Sequence, residues 1–214
     1  SKNEPTKILN VLSEFYFKQQ RYHLALKTKE QWTTSGKKDF NDWLKFANNL
    51  RKEGAYKFSI SAYEYILSYK LNTKITGKAL LGLAQTFEDQ ITPVNEYHII
   101  PYFYDNNIFF EDPFGIYASI SAENLKTSLS IYDSLLSSPN KSPVIAEAYF
   151  RLGDIQYKIL QDFDQAYFLF NKALNNNPKK TLKTKIILRI ADALLAVGQT
   201  EKAINFLEKE MKTN

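Results

Sequence analysis

The chain has 214 residues, of which 44% are hydrophobic and 24% charged, a make-up that builds a packed core and is far from that of a disordered chain. It has no cysteine, which excludes disulfides, thiolate metal sites, iron–sulfur clusters and thiol catalysis. The formal net charge of +5 is uneven: residues 1–76 carry 14 Lys/Arg against 7 Asp/Glu, residues 77–145 carry 3 against 8, and residues 146–214 carry 11 against 8.

That distribution argues against a nucleic-acid binder, which concentrates positive charge on one face or stripe. The middle is acidic, and the longest basic runs are the pairs Lys37-Lys38 and Lys179-Lys180. The remaining lysines are scattered singly and read as a solvated surface. No apolar run reaches the ~18–20 residues of a membrane span. The longest candidate, Ile186 to Val197, is broken by Arg189 and Asp192.

The periodicity is clearest between Ala146 and Pro178. Ser142-Pro143 just upstream is a helix start, since Ser caps free N–H groups and Pro at the first position gives up a donor that had no partner. Tyr149, Leu152, Ile155 and Ile159 then recur in steps of three or four, which makes one buried helical stripe. Gln161-Asp162-Phe163-Asp164 is a polar turn, Ala166, Phe170, Ala173 and Leu174 line a second amphipathic helix, and Asn177-Pro178 ends it. Two antiparallel helices with a short turn form a hairpin that cannot bury both its faces alone.

This stretch resembles the tetratricopeptide repeat (TPR), a unit of 34 residues with an aromatic-x2-Leu-Gly-x2-Tyr first helix and a second helix bearing Ala, an aromatic, Ala and a closing Pro. Tyr149, Leu152, Gly153 and Tyr157 match the first helix, and Ala166, Phe170, Ala173 and Pro178 the second. One extra residue in the turn accounts for Tyr157 falling one place late. The resemblance implies an all-α fold, a right-handed α-α superhelical solenoid of about five hairpins.

Carried along the chain, the pattern gives five repeats, at about 6–39, 40–73, 77–140, 146–180 and 184–211. The first starts at Thr6, with Tyr16, Tyr22, Ala25 and Trp32 in signature places. The second starts 34 residues later at Phe40, with Trp43, Phe46, Ala47, Leu50, Gly54, Tyr56, Tyr63 and Ile66. The third starts at Gly77, with Leu80, Leu83, Ala84 and Phe87, and is interrupted. Aligning Ser128 with the repeat's Ala leaves residues 91–122 outside the family pattern. Asp112-Pro113 is a cap-plus-Pro start, so the second helix of this repeat is expected to extend back to about residue 113. Residues 91–112 are expected as a loop, in which Asp105-Asn106-Asn107 between two apolar runs closes a short hairpin. The fifth repeat starts at Thr184, with Ile187, Ala191, Leu194, Gly198, Ala203 and Leu207.

Little in the chain points to chemistry. Its two histidines, His23 and His98, are far apart in sequence, and His98, the one with carboxylates nearby, has no second His, no Cys and no i, i+4 spacing to make a metal site, so no metal and no cofactor are expected. There is no Gly-rich phosphate loop, nucleophile elbow or HExxH, and Glu111-Asp112 and Asp162/Asp164 read as turn and cap residues. The chain is expected not to be an enzyme.

Two surfaces are candidates for a partner. Residues 97–117 hold eight aromatics, Tyr102, Tyr104, Phe109 and Phe110 among them. Either this segment folds back and plugs the ends of repeats three and four, or it docks a partner through Tyr and Phe anchors, with Asp105, Glu111 and Asp112 favouring a basic one. The resemblance supplies the second surface, because TPR arrays commonly grip extended peptides in a groove lined by their first helices. The groove places fall on Asn10, Glu14, Phe17 and Lys18; on Leu44, Asn48, Arg51 and Lys52; on Lys78, Leu81, Gln85 and Glu88; on Phe150, Asp154, Tyr157 and Lys158; and on Lys185, Leu188 and Asp192. The carboxylate clamp of some family members is absent, because Leu81, Gln85 and Arg151 stand where its Lys and Asn residues belong, although Lys185 and Arg189 match its last pair.

The expected function is therefore a non-catalytic scaffold that binds a protein or peptide partner, with no nucleic acid and no membrane span. The alternative is an RNA-binding helical-repeat protein, whose repeats run at about 35 residues. The 34-residue step from Thr6 to Phe40 and the acidic middle argue against it. Ser138 to Pro143, followed by Ala146-Glu147-Ala148-Tyr149, resembles repeats of bacterial cell-envelope TPR proteins and favours a periplasmic location. The chain stops at Asn214 straight after its last helix, without the polar cap that solenoid ends need, which leads one to expect a fragment of a longer protein or an end covered by self-association.

Overall fold

The computed structural model describes residues 4–35, 39–91, 113–137 and 142–213. They form the helices α1 (Glu4–Lys18), α2 (Tyr22–Thr34), α3 (Phe40–Lys52), α4 (Tyr56–Leu67), α5 (Thr73–Glu88), α6 (Pro113–Leu136), α7 (Pro143–Ile155), α8 (Phe163–Leu174), α9 (Lys180–Ala196) and α10 (Thr200–Thr213), with no strand among them. The chain divides into two compact units, Ser1–Asp89 and Gln90–Asn214.

The caps are those that local chemistry dictates. The Asp39 carboxylate accepts from the backbone N–H groups of Asn41 and Asp42, the Asn72 side chain from Ile75, Ser142 from Ile145, and Asp162 from Gln165. Ser142 with Pro143 is the helix start expected from the sequence. Three first helices end in the same Schellman turn. The N–H of Arg21 reaches Tyr16 O at 2.9 Å, that of Ala55 reaches Leu50 O at 2.9 Å, and that of Gln199 reaches Leu194 O at 2.8 Å. The residue before each donor has positive φ: Gln20 at 59°, Gly54 at 73° and Gly198 at 75°. Glycine takes this left-handed conformation without steric penalty, whereas Gln20 pays about 1–2 kcal/mol for it.

The hairpin of α7 and α8 departs from this geometry in one place. Its first helix closes with a π-helical turn, Gln156–Leu160, before the left-handed Gln161. The N–H of Asp162 accordingly reaches back one residue further, to Gln156 O at 3.0 Å. The extra residue inferred from the late Tyr157 thus sits in the end of the helix and not in the polar turn. Widening one helical ring absorbs an insertion without moving the next helix.

In the first unit α1 packs on α2, α3 on α4, and α4 and α3 on α5. Small residues meet where paired helices cross. Ser13 Oγ donates to Ala25 O at 2.8 Å, and Ser59 Oγ donates to Ala47 O at 3.0 Å. Ser13 and Ala47 are one repeat apart, as are Ala25 and Ser59, so the same crossing is bonded from opposite sides in the two hairpins. The large buried side chains are Trp43, Tyr63, Leu50 and Ile66. Trp43 Nε1 donates to Thr33 Oγ1 at 2.6 Å, and the ring stacks on Tyr65 at 4.4 Å between centroids. Burying a residue of this size contributes about 1.5–3 kcal/mol.

In the second unit α6 packs on α7, α7 on α8, α8 on α9 and α9 on α10. A continuous apolar seam joins Phe150, Ala166, Phe170 and Ala173 to Ile186, Ile190, Ala193 and Leu194, with Leu174 and Leu207 packed against it. Gly153 lets the Phe170 ring lie directly on α7, since a Cβ there would stand 2.5 Å from Phe170 Cε1. α6 starts at Pro113, and its Ser128, Tyr132 and Leu135 are buried. Residues 92–112, with the short hairpin expected there, lie outside the described residues.

Candidate functional site

The helices α1, α3 and α5 of the first unit and α7 and α9 of the second carry the positions expected from the sequence to line a groove. Many of these side chains are held by the protein itself. Asn10 Oδ1 accepts from Lys29 Nζ at 2.7 Å. That lysine is buried, pairs with Asp42, and lies 4.4 Å from the Trp32 ring centroid. It ties α2 to α1 and α3, and departs from the expectation of a solvated lysine surface. Its signal is present in the sequence, since Ala25, Thr28, Lys29 and Trp32 follow the spacing of a buried stripe.

On α3, Asn48 Oδ1 accepts from the Tyr63 hydroxyl at 2.8 Å, and Asn48 Nδ2 donates to Leu44 O at 2.7 Å. Arg51 Nη1 pairs with Asp89 Oδ2 at 3.1 Å. Gln85 is buried, as are Leu44 and Leu81. Glu14, Lys18, Lys52 and Lys78 are exposed.

In the second unit the candidates converge. Asp154, buried on α7, pairs with Lys158 Nζ at 3.1 Å, and its Oδ1 lies 3.0 Å from Arg189 Nε on α9. The Arg189 contact is an ion pair without hydrogen-bond alignment, for Oδ1 has no hydrogen-bond partner. Arg189 also reaches Asp192 Oδ2 at 3.1 Å, and its guanidinium lies 5.6 Å from the Tyr157 ring centroid. Tyr157 meets Phe163 edge-on at 5.3 Å. Asp154, Tyr157 and Lys158 therefore form one cluster with Arg189 and Asp192, while Phe150 is buried and Lys185 is exposed. Neither the pairing of Arg189 with Asp154 nor that of Arg51 with Asp89 was legible in spacing, because both depend on where the next first helix lies.

The aromatic candidates Tyr102, Tyr104, Phe109 and Phe110 lie outside the described residues, as does His98. His23 is exposed at the start of α2. Among the described residues, no three His, Asp or Glu side chains are grouped to hold a metal ion, and no helix is long and apolar enough to cross a membrane.

Helix hairpins with small residues at their crossings and a charged first-helix face define an all-α helical-repeat protein. The tetratricopeptide repeat family model matches residues 147–180. The fold resembles that of MamA (residues 41 to the end) from Desulfovibrio magneticus RS-1, with a TM-score of 0.56 and 13% identity over 99% of this chain and 96% of that one. It also resembles a thermophilic TPR protein from Thermus thermophilus, with a TM-score of 0.53 and 15% identity over 97% of this chain and 90% of that one. No protein of curated function matches the sequence. Residues 147–180 thus match the tetratricopeptide repeat, and along nearly its whole length the chain has the fold of TPR proteins.

Proposed function

We propose that the protein is a non-catalytic scaffold that holds a protein or peptide partner through exposed residues of the first helices of each unit. One observation carries this reading. The groove positions left open are mostly basic: Lys18, Lys52 and Lys78 with Glu14 in the first unit, and Lys185 beside the apolar Leu188 in the second, while Lys158 is exposed but paired with Asp154. The others, Asn10, Asn48, Arg51, Gln85, Asp154 and Tyr157, serve as fixed framework. A partner with acidic side chains suits these lysines. Each exposed ion pair contributes only about 0–1 kcal/mol, so binding would be distributed over several lysines and would weaken with salt. The aromatic-rich residues 97–117 are a second docking element in this proposal, through Tyr102, Tyr104, Phe109 and Phe110.

Affinity capture from the native organism tests it. Wild-type chain is compared with the triple variant Lys18→Glu, Lys52→Glu, Lys185→Glu and with a variant lacking residues 92–112. Recovered proteins should fall at least tenfold with the triple variant. Equal recovery by the triple variant, with loss in the deletion, would move the binding site to the aromatic segment. Nuclease-sensitive recovery that falls steeply with added salt would instead favour the RNA reading.

A further inference from the structure

Two of the molecule's exposed apolar faces sit on the first and last hairpins, and the internal repeat tells what each is shaped to meet. Hairpin five (α9 and α10) seats on hairpin four (α7 and α8) through two sets of side chains. Hairpin four offers Phe150, Phe170 and Leu174, and hairpin five brings Ile186, Ile190 and Ala193. Both sets recur at equivalent places elsewhere, this time uncovered.

The equivalents of Phe150, Phe170 and Leu174 on hairpin five are Leu188, Leu207 and Met211. All three are apolar. Leu188 is 55% exposed and Met211 80%, while Leu207 is half-buried, whereas Phe150 and Phe170 are buried. The equivalents of Ile186, Ile190 and Ala193 on hairpin one are Ile8, Leu12 and Phe15. Ile8 is 64% exposed and Phe15 53%, although Ile186 and Ala193 are buried. Val11, at the place of Arg189, is 65% exposed. The correspondence is anchored by the buried pairs Ser13/Ala191 and Ala25/Ala203 and by the positive-φ residues Gln20 and Gly198.

We infer that hairpin one of a second copy seats on hairpin five of the first, continuing the seam by which hairpin five seats on hairpin four. The volumes compensate. The receiving face shrinks, with Leu188 for Phe150 and Leu207 for Phe170, while the incoming face grows, with Phe15 for Ala193. The charges are compatible as well. Asp192 takes the place of Asp154, and it keeps Arg189 as its own partner at 3.1 Å, so the arrival of Val11 leaves no carboxylate unpaired. The contact joins two different patches, so it is heterologous and each added copy leaves a fresh acceptor face.

Sedimentation velocity from micromolar to millimolar chain tests this with Val11→Glu, which spoils the incoming face, and Leu188→Glu, which spoils the receiving one. Wild type should rise in mean mass past the dimer as concentration increases. Each variant alone should stay monomeric. An equimolar mixture should form a one-to-one dimer and nothing larger, because one intact face of each kind remains. A wild type that stays monomeric at the highest concentration overturns the inference. So does either variant dimerising alone, which would mean like faces pairing, and so does a mixture that stays monomeric. Helix content and melting by circular dichroism check that the variants fold, and Phe15→Lys with Met211→Lys repeats the test if either first variant melts early.

Discussion

Tyr63 condenses the chemistry of the first unit into one side chain. Its ring is fully buried against Gly82, where a Cβ would stand 2.3 Å from Tyr63 Cζ, and its hydroxyl donates to Asn48 Oδ1. Burial pushes the phenol up to about 12 from its ordinary value near 10, with Arg51 pulling it down and Asp89 pushing it up. A raised folded-state pKa means that the stability this group contributes is complete below pH 10 and drains away as pH rises toward 12. The denaturation midpoint of the wild type should therefore fall between those values, and that of Tyr63→Phe should fall less steeply. Tyr65, also raised to about 12 by burial and by its hydrogen bond with Tyr69, leaves some slope in the variant. Identical slopes for the two proteins would refute the assignment. At neutral pH the variant should lose about 0.5–1.5 kcal/mol, the worth of one hydrogen bond. The burial of Tyr63 was readable from its place in the repeat, but its acceptor was not, because Asn48 reads equally well as an open groove residue.

At the scale of helices, the closeness of α7 and α8 rests on a missing side chain. Gly153→Ala would place a methyl 2.5 Å from Phe170 Cε1 and 2.6 Å from Cδ1, and that ring is fully buried and cannot swing aside. Alanine improves helix propensity by about 1 kcal/mol, while overpacking a core costs about 1–3 kcal/mol. The substitution should thus destabilise in urea denaturation. In a Phe170→Leu background it should become neutral or stabilising. A gain in stability in the wild-type background would contradict the packing. Gly153 was legible, since a helix with Tyr149 and Leu152 on its buried stripe places residue 153 against its partner. The π turn at Gln156–Leu160 was not, because an inserted residue can be taken up by a loop or by a wider helical ring, and spacing alone does not separate the two.

Within each unit, hairpins that cannot bury both faces alone share seams with their neighbours, and this is why the periodicity carried so much of the fold. The first helices of the hairpins followed from spacings such as Trp43, Phe46 and Leu50 or Ile187, Ala191 and Leu194, although in the latter helix it is Ile186 and not Ile187 that is fully buried. The candidate face was less legible, because whether Arg51, Gln85 or Asp154 stays open depends on residues a whole repeat away. The boundary between the two units, at Asp89/Gln90, falls in the stretch expected from the sequence to be an interrupted third repeat.

The shared seam is tested most directly by hydrogen exchange on Phe170→Ala, which removes a ring of hairpin four that packs against Ile186 and Ile190 of hairpin five. Such a truncation costs about 3–5 kcal/mol. Amides of α9 should then exchange faster together with those of α7 and α8. Wild-type protection in α9 beside weakened α7 and α8 would show that each hairpin stands alone, and would contradict the account.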